Sequence, residues 1–283
     1  MTAPHALLKA WNLRARKELG QNFLTEPSLA EKIVDLAGIS PDDAVLEIGA
    51  GLGAMTLAAG RRTRRLVAVE KDPHLVPLLR AELLAQALEH VEVRNQNILA
   101  LDLGQLAAEM GQPLTVIGNL PYNISSQVMV KLVTERAAVK RAALMFQKEL
   151  AERLIAGPGT KAYGRLSVLL GYCAELKLLR EVRAEMFFPK PKVGSVVLGI
   201  VFKTHIEPRV GDEALMVRVV QAAFGQRRKT LRNALAGGMP QLGSQGALAV
   251  LTQAGIDPMR RAETLSVSEF VRLTDTVEKY LRG

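Results

Sequence analysis

The sequence predicts an α/β fold in which a doubly wound, mostly parallel sheet precedes a smaller helical domain. Up to Lys203, short apolar runs of strand length alternate with segments of helical pattern. A glycine-rich turn follows the first of these runs, which is typical of parallel sheets that bind a ligand at the carboxyl ends of their strands. Beyond Lys203 the pattern is helical to the C-terminus, which indicates a second domain.

The chain opens with a basic arm, residues 1–20, in which apolar and basic residues interleave as in a short amphipathic helix. Thr25 or Ser28 can cap the helix that follows the arm. We expect that helix to end near Ala37, because Gly38 suits the left-handed position after a helix.

Seven apolar runs are interpreted as strands. They are Ala44–Ile48, Leu66–Val69, Val91–Arg94, Leu114–Ile117, Ala142–Phe146, Ala174–Leu179 and Ser195–Val201. Helices are expected between them, one opening at Pro73 after the cap Asp72 and one capped by Asp102. This alternation predicts that the strands are mostly parallel.

The last part of the chain is predicted to be all-helical. Residues 204–212 have the pattern of a linker, and glycine- and proline-containing segments separate the helices beyond it. The predicted helices are Glu213–Phe224, Lys229–Ala236, Gln245–Ala254 and Ser266–Leu281. The sequence therefore predicts two domains, residues 1–204 and residues 205–283.

The composition favours a polyanionic partner. The chain has 283 residues, of which 37 are basic and 28 acidic, so its formal net charge is +9 and its pI is near 9.8. Hydrophobic residues make up 48%, which excludes a disordered chain.

Cysteine, histidine and hydropathy patterns predict a cytoplasmic protein without metal. The single cysteine, Cys173, permits no disulfide framework, and the four histidines are scattered without ligand spacing. The apolar stretches fall short of a membrane span, and residues 1–20 contain none of signal-peptide length. We therefore expect no membrane association and no metal site.

A polar tetrapeptide follows the strand at Leu114–Ile117. In Asn119-Leu120-Pro121-Tyr122, Pro121 stiffens the loop, so that the Asn119 side-chain carbonyl and a backbone carbonyl can be aimed at one amino group. Tyr122 then offers a flat face to a planar ring. The alternative is an ordinary strand-ending turn with a surface tyrosine.

The glycine turn Gly49-x-Gly51-x-Gly53 is compatible with either NAD or S-adenosylmethionine. Glu47 favours the latter, because a carboxylate beside a pyrophosphate is unhelpful but attracts an amino group or a sulfonium. Glu70 lies 21 residues after Gly49, where it can accept from both ribose hydroxyls of either cofactor. Glu47 can also be read as a structural carboxylate.

With these motifs in this order, the chain resembles S-adenosylmethionine-dependent adenine methyltransferases. Three further segments are similar to the small-subunit rRNA adenine dimethyltransferases, a likeness that extends from Lys17 to Leu273. They are Gln21–Leu24, Phe187–Val197 and Phe224–Asn233. The resemblance implies a Rossmann-like class I S-adenosylmethionine-dependent methyltransferase fold, with a mostly parallel seven-stranded sheet and a small C-terminal all-helical, RNA-binding domain.

The resemblance also implies the cofactor and its site. S-adenosyl-L-methionine is the expected methyl donor and S-adenosylhomocysteine the product. The expected cofactor-binding residues are Asn22, Leu24, Gly49, Gly51, Glu70, Asn97 and Asn119. The family usually has Asp where this chain has Asn97, a ligand of the cofactor's adenine amine. Since Asn keeps a carbonyl acceptor and loses the charge, we expect at most a weaker cofactor affinity.

The expected catalytic residues are Asn119, Leu120, Pro121, Tyr122 and Phe187. The resemblance implies that the Asn119 carbonyl and the backbone carbonyl of Leu120 or Pro121 accept the two hydrogens of an adenine amine. Tyr122 and Phe187 are expected to stack on the target base. No strong general base is required, because positioning and electrostatics supply most of the acceleration.

Two basic segments are expected to contact RNA. Arg227, Arg228, Lys229 and Arg232 are predicted to span two helical turns as one ridge. A solvated helix face is the alternative, and recurrence of the segment in the family favours RNA. Lys190 and Lys192 lie between prolines and are expected to contact the RNA backbone beside the active site.

The implied function is dimethylation of two adjacent adenosines in a hairpin loop near the 3′ end of 16S rRNA. The expected partner is an immature small ribosomal subunit, and we expect the protein to be a monomer. Three alternatives remain: a 23S rRNA adenine methyltransferase of the macrolide-resistance type, a non-catalytic ribosome-assembly or transcription factor, and, more distantly, an NAD oxidoreductase.

Overall fold

The structure, a computed structural model, describes residues 2–226 and 228–283. The chain divides into two compact units. The first contains the residues up to Ala151 together with Glu175–Phe202, and the second contains Glu152–Ala174 and Lys203–Gly283. Residues 152–174, predicted to belong to the N-terminal domain, group with the helices of the second unit.

The first unit is built on a seven-stranded sheet within the described residues. The strands in chain order are β1 (Phe23–Leu24), β2 (Ala44–Ile48), β3 (Arg65–Glu70), β4 (Glu92–Asn95), β5 (Leu114–Asn119), β6 (Val139–Gln147), β7 (Ala174–Val182), β8 (Phe187–Phe188) and β9 (Ser195–Phe202). The order across the sheet is β4-β3-β2-β5-β6-β9-β7. The first five strands in this order run parallel, and β9 runs antiparallel to β6. The predicted mostly parallel seven-stranded sheet is confirmed.

The helices lie between these strands and in the second unit. In chain order they are α1 (Pro4–Ala10), α2 (Pro27–Leu36), α3 (Ala54–Gly60), α4 (Leu75–Ala85), α5 (Leu103–Glu109), α6 (Ser125–Thr134), α7 (Lys148–Leu154), α8 (Arg165–Cys173), α9 (Glu213–Phe224), α10 (Leu231–Gly238), α11 (Gly243–Gln253) and α12 (Val267–Arg282). None of the helices in the described part of the chain is long and apolar enough to cross a bilayer.

Two predicted helix caps were wrong and one is confirmed. The N-cap of α2 is Glu26, without a side-chain hydrogen bond, so neither Thr25 nor Ser28 caps this helix. Helix α4 begins after His74, whose backbone N–H donates to Asp72 Oδ1 at 3.1 Å. Asp72 therefore closes the turn before the helix rather than capping it. The predicted cap Asp102 is confirmed, since its carboxylate accepts from Gln105 N at 2.8 Å.

A close approach of the two central strands positions the end of β5. A Cβ atom at Gly118 would lie 2.6 Å from the carbonyl oxygen of Ile48, so only glycine fits at this point. Strand β5 therefore continues two residues beyond the predicted end at Ile117. Asn119 is its last residue, beside the turn that follows β2.

Within the first unit, a two-stranded ribbon joins the N-terminal segment to the segment between β7 and β9. Strand β1 pairs antiparallel with β8, with Phe23 opposite Phe188 and Leu24 opposite Phe187. Leu24 and Phe187 are buried in the main core cluster of this unit. Both segments carry motifs in the sequence, but their pairing is visible only in the structure.

The second unit has an aromatic core. The Phe224 ring stacks on Phe270 with centroids 5.9 Å apart, and Tyr163 meets Phe224 edge-on at 6.1 Å. Tyr163 belongs to the segment 152–174, which explains why this segment is part of the helical unit. A capping box of Ser266 and Glu269 begins α12, and Arg260 forms an ion pair with Glu269 at 2.5 Å.

Candidate active site

The first unit has a pocket at the carboxyl ends of β2 to β5. Its walls are the turn after β2, Glu70 at the end of β3, residues 96–98 after β4 and residues 119–124 after β5. The N-terminal segment Leu19–Leu24 also lines the pocket. In open parallel sheets, ligands bind at this edge, where the loops that follow the strands come together.

The glycine turn after β2 has backbone angles that favour glycine. Gly49 and Gly51 have φ of 75° and 57°. A Cβ at Gly51 would meet the Phe23 ring at 3.2 Å, and one at Gly49 would lie 3.4 Å from Pro121. The turn is thus packed between the N-terminal segment and the Asn119–Tyr122 loop, which draws these predicted site residues together.

Glu70 is held rigidly at the end of β3. It is 7% exposed, and its carboxylate accepts from Gly51 N and from Asp72 N, both at 2.8 Å. Burial raises the pKa of Glu70, and the nearby Asp72 carboxylate adds to this effect. Each carboxylate oxygen retains a further lone pair, so the group can accept hydroxyl hydrogens of a ligand.

Glu47 is a buried carboxyl with an unused oxygen. It is 1% exposed and lines the pocket, and its Oε2 has no hydrogen-bond partner among the described residues. Burial, and secondarily Glu70, raises the pKa of Glu47 to about 8. A buried acid of this kind becomes stable as a carboxylate when a positively charged group binds nearby.

Asn119 has a fixed amide orientation. Its Nδ2 donates to the carbonyl oxygen of Asn22 at 2.8 Å. This contact identifies the nitrogen, because a carbonyl oxygen only accepts. No donor in the described part of the chain hydrogen-bonds to Asn119 Oδ1, and Asn119 lines the pocket. The oxygen is therefore available to a ligand.

The structure distinguishes the two backbone carbonyls that the sequence analysis left open. The carbonyl oxygen of Pro121 already accepts from Ile124 N at 3.1 Å and from Ser125 Oγ at 2.8 Å. The carbonyl oxygen of Leu120 accepts no hydrogen bond from the described residues. Leu120, which lines the pocket, therefore keeps an unused backbone acceptor, whereas the Pro121 carbonyl is already engaged.

The two predicted stacking residues lie in different surroundings. Tyr122 is half-buried in the pocket wall, its hydroxyl lies 3.2 Å from Ser195 Oγ, and burial raises its pKa. Phe187 is 3% exposed and packs in the core beside Leu24, away from the pocket lining. The structure therefore gives Phe187 a packing role in this core cluster.

The N-terminal segment is held by Asp72, which was predicted only as a helix cap. Asp72 is 2% exposed and accepts from Gln21 Nε2 at 2.9 Å, with Arg16 at 3.7 Å. On the other side of the pocket, Asn123 Nδ2 donates to the carbonyl of Glu18 at 3.1 Å. The sequence signal for this role of Asp72 was its position two residues after Glu70, next to the predicted cofactor site.

Asn97 lines the pocket beyond β4, but its carbonyl is not free as expected. Oδ1 accepts from the backbone N–H of Leu99 at 3.1 Å and so begins the short 3-10 helix Ile98–Ala100. Leu24, the other predicted cofactor residue with an unusual setting, is buried but still lines the pocket.

The predicted RNA-binding residues do not form a continuous helical ridge. Arg228 and Lys229 are exposed and precede α10, so among the described members only Arg232 lies in a helix, where its Nη2 donates to Ser244 Oγ at 3.0 Å. Arg227 lies outside the described residues. In the first unit Lys190 and Lys192 are exposed, and Lys190 forms an ion pair with Glu185 at 2.7 Å.

Among the described residues no group of three or more histidine, cysteine, aspartate or glutamate side chains is arranged to hold a metal ion. The strand order, with its antiparallel β9 between β6 and β7, is that of a Rossmann-like class I methyltransferase.

Comparisons with known proteins narrow this class. The family model for ribosomal RNA adenine dimethylase matches residues 12–279. The small-subunit rRNA methyltransferase A of Desulforapulum autotrophicum is 51% identical over 98% of this chain and 97% of that protein. The corresponding protein of Magnetococcus marinus is 44% identical over 95% of this chain and 94% of its own length. The chain belongs to the ribosomal RNA adenine dimethylase family, and the predicted enzyme class is confirmed.

Solved structures support the fold. A dimethyladenosine transferase from Plasmodium falciparum has a TM-score of 0.76 at 24% identity, covering 92% of this chain and 98% of that one. The 23S rRNA methyltransferase ErmE has a TM-score of 0.66 at 22% identity, covering 90% of this chain and 99% of that one. At these identities the likeness concerns the fold alone.

Proposed function

We propose that the protein transfers methyl groups from S-adenosyl-L-methionine to the 6-amino groups of two adjacent adenosines in a hairpin loop near the 3′ end of 16S rRNA. The proposed partner is an immature small ribosomal subunit. Membership of the family and the close relatives named small-subunit rRNA methyltransferase A support the substrate. The observation that carries the chemistry is the pair of available acceptors, Asn119 Oδ1 and the Leu120 carbonyl.

The residues of the pocket fit the proposed methyl donor. Glu47 Oε2 is a buried oxygen without a partner among the described residues, so a cationic ligand would satisfy it. Glu70 is placed to hold a ribose diol, and Gly49 and Gly51 allow close backbone approach. Asn22 and Leu24 cover the site. When bound, S-adenosyl-L-methionine supplies an electrophilic methyl group on a positively charged sulfur.

The chain activates the amine by holding its hydrogens. An adenine amine is a poor nucleophile because its lone pair is delocalised into the ring. Asn119 Oδ1 and the Leu120 carbonyl accept its two hydrogens, which pulls the nitrogen toward tetrahedral geometry and frees the lone pair. The two fixed acceptors stabilise the positive charge that develops on the nitrogen, and this charge is lost when one of the amine hydrogens leaves as a proton to water. Positioning and electrostatics therefore provide the acceleration.

Tyr122 orients the base while the amine is held. Its half-buried ring offers a face for stacking, which contributes about 1–3 kcal/mol per base. The hydrogen bond between the Tyr122 hydroxyl and Ser195 Oγ holds the hydroxyl end of the ring. Phe187 is left out of this proposal because it is buried in the core.

The pocket favours a loop adenosine in RNA over a base in a duplex. A loop base can be splayed out at small cost, whereas a paired base must first be unstacked. The net charge of +9 supports contact with phosphates, and four of the basic residues predicted to contact RNA are exposed. They are Lys190 and Lys192 in the first unit, and Arg228 and Lys229 in the second.

The test is transfer of labelled methyl groups from S-adenosyl-L-methionine to small subunits that lack the modification, with the modified nucleotides mapped. We expect dimethylation of two adjacent adenosines in one hairpin loop of 16S rRNA. Modification of 23S rRNA instead would show the macrolide-resistance activity. Binding to the subunit without any transfer would show an assembly factor, and either outcome contradicts the proposal.

A further inference from the structure

Asn97 has one orientation of its side-chain amide. The backbone N–H of Leu99 lies 3.1 Å from Asn97 Oδ1, and a backbone N–H can only donate. The contacting atom must therefore be the oxygen. A flip would set the amide NH₂ against this N–H and leave the start of the Ile98–Ala100 helix without its cap.

The nitrogen is then the polar atom of Asn97 that is left for a ligand. Asn97 is half-buried and lines the pocket between Gln96 and Ile98. Its Nδ2 has no hydrogen-bond partner in the described part of the chain. Because an amide NH₂ only donates, Asn97 presents a donor to whatever occupies this end of the pocket.

The order of the strands indicates which part of the methyl donor lies there. Along the edge β5-β2-β3-β4, the acceptors for the target amine come first, then the glycine turn, then Glu70 and finally Asn97. A donor with its methyl group beside Asn119 and its ribose at Glu70 has its base at the β4 end. This placement rests on the proposed function.

We propose that Asn97 determines the cofactor base that the pocket accepts, by offering a hydrogen-bond donor where an aspartate would offer an acceptor. Adenine carries an amino donor at its 6-position, whereas hypoxanthine carries a carbonyl acceptor at the same place. Asn97 therefore weakens the preference for adenine, and the pocket admits 6-oxopurine analogues of the cofactor.

The substitution Asn97→Asp reverses this polarity with little change in shape. One carboxylate oxygen keeps the cap on Leu99, and the other replaces the donor by an acceptor. Affinities for S-adenosyl-L-homocysteine and S-inosyl-L-homocysteine are measured by isothermal titration calorimetry. We expect the variant to bind the adenosyl ligand more tightly and the inosyl ligand more weakly, so that the ratio of their Kd values changes about tenfold or more. The two ligands carry the same charge, so the added charge of Asp cancels in the ratio.

Gln96→Glu is the matched control, because it adds the same charge to the neighbouring pocket residue without a contact to Leu99. We expect it to change the ratio by less than about twofold. A ratio that Asn97→Asp leaves unchanged would mean that Oδ1 serves both Leu99 and the base, and it overturns the inference alone. An equal change in Gln96→Glu overturns it as well. Failure of the unaltered protein to bind S-adenosyl-L-homocysteine overturns the proposed cofactor and this inference together.

Discussion

Replacement of Asn119 by alanine tests the acceptor pair most directly. The substitution removes one contact, the hydrogen bond from Nδ2 to the Asn22 carbonyl at 2.8 Å, and one unused acceptor, Oδ1. Loss of the contact costs about 0.5–1.5 kcal/mol of local ordering. Loss of one preorganised group that stabilises developing charge lowers kcat by about 10²–10³-fold. The second effect should dominate.

Asn123→Ala is the matched control for the contact with Asn22. Asn123 lies in the same loop and its Nδ2 donates to the Glu18 carbonyl at 3.1 Å, so it also ties the loop to the N-terminal segment. Unlike Asn119, it is exposed. We therefore expect Asn123→Ala to share the small ordering cost and to retain most of the methyl transfer.

The assay is single-turnover transfer of labelled methyl groups to unmodified small subunits, together with calorimetric binding of S-adenosyl-L-homocysteine. Asn119→Ala should lose transfer while its affinity for the product changes by no more than about tenfold, the size of one hydrogen bond. Equal losses of transfer in the two variants would refute the role of Oδ1 and leave only a role in closing the N-terminal segment.

Three further predictions follow from the first unit and the basic residues. Gly118→Ala places a Cβ 2.6 Å from the Ile48 carbonyl oxygen, so it should destabilise the protein by about 1–3 kcal/mol and lower Tm in calorimetry. Gly157→Ala is the control, because a Cβ there has no neighbour within 4 Å and should leave Tm unchanged. Equal Tm values for the two variants would contradict the close approach of the strands. Burial raises the pKa of Glu47 from 4.5 to about 8, so the unfolded chain releases a proton that the folded one keeps, and stability without cofactor should fall as pH rises between these values. Glu47→Gln, which cannot ionise, should lose this part of the decline in thermal unfolding, and parallel curves for the two proteins would exclude it. Replacing Arg228 and Lys229 by alanine should lower the salt dependence of rRNA binding by about one unit of slope per lost phosphate contact, and an identical slope would exclude these residues from the RNA surface.

The sheet and the pocket edge could be predicted because their signals are local. Apolar runs separated by helical segments specify parallel strands, and the carboxyl ends of such strands meet at one edge. Glu70 and Asn119 are each the last residue of a parallel strand, so both line the same pocket. The sequence alone could not decide between the Leu120 and Pro121 carbonyls as the second acceptor. That choice depends on the hydrogen bonds that Ile124 and Ser125 donate to the Pro121 carbonyl.

The features that were missed depend on contacts between distant residues. Strands β1 and β8 have two residues each and gain their identity only by pairing with one another, and Phe187 of β8 is buried in the core cluster. The segment around Tyr163 joins the helical unit because its ring meets Phe224. The sequence predicted that the side-chain carbonyl of Asn97 would accept from the cofactor, but this carbonyl already accepts from the backbone N–H of Leu99. No periodicity or spacing encodes such pairings.

One member of the acceptor pair belongs to the main chain. The Leu120 carbonyl is present whatever side chain stands at position 120, whereas the Asn119 oxygen vanishes with almost any replacement. Loss of methyl transfer should accordingly follow almost any exchange at position 119, whereas exchanges of the buried Leu120 should act through core packing and leave its backbone acceptor in place.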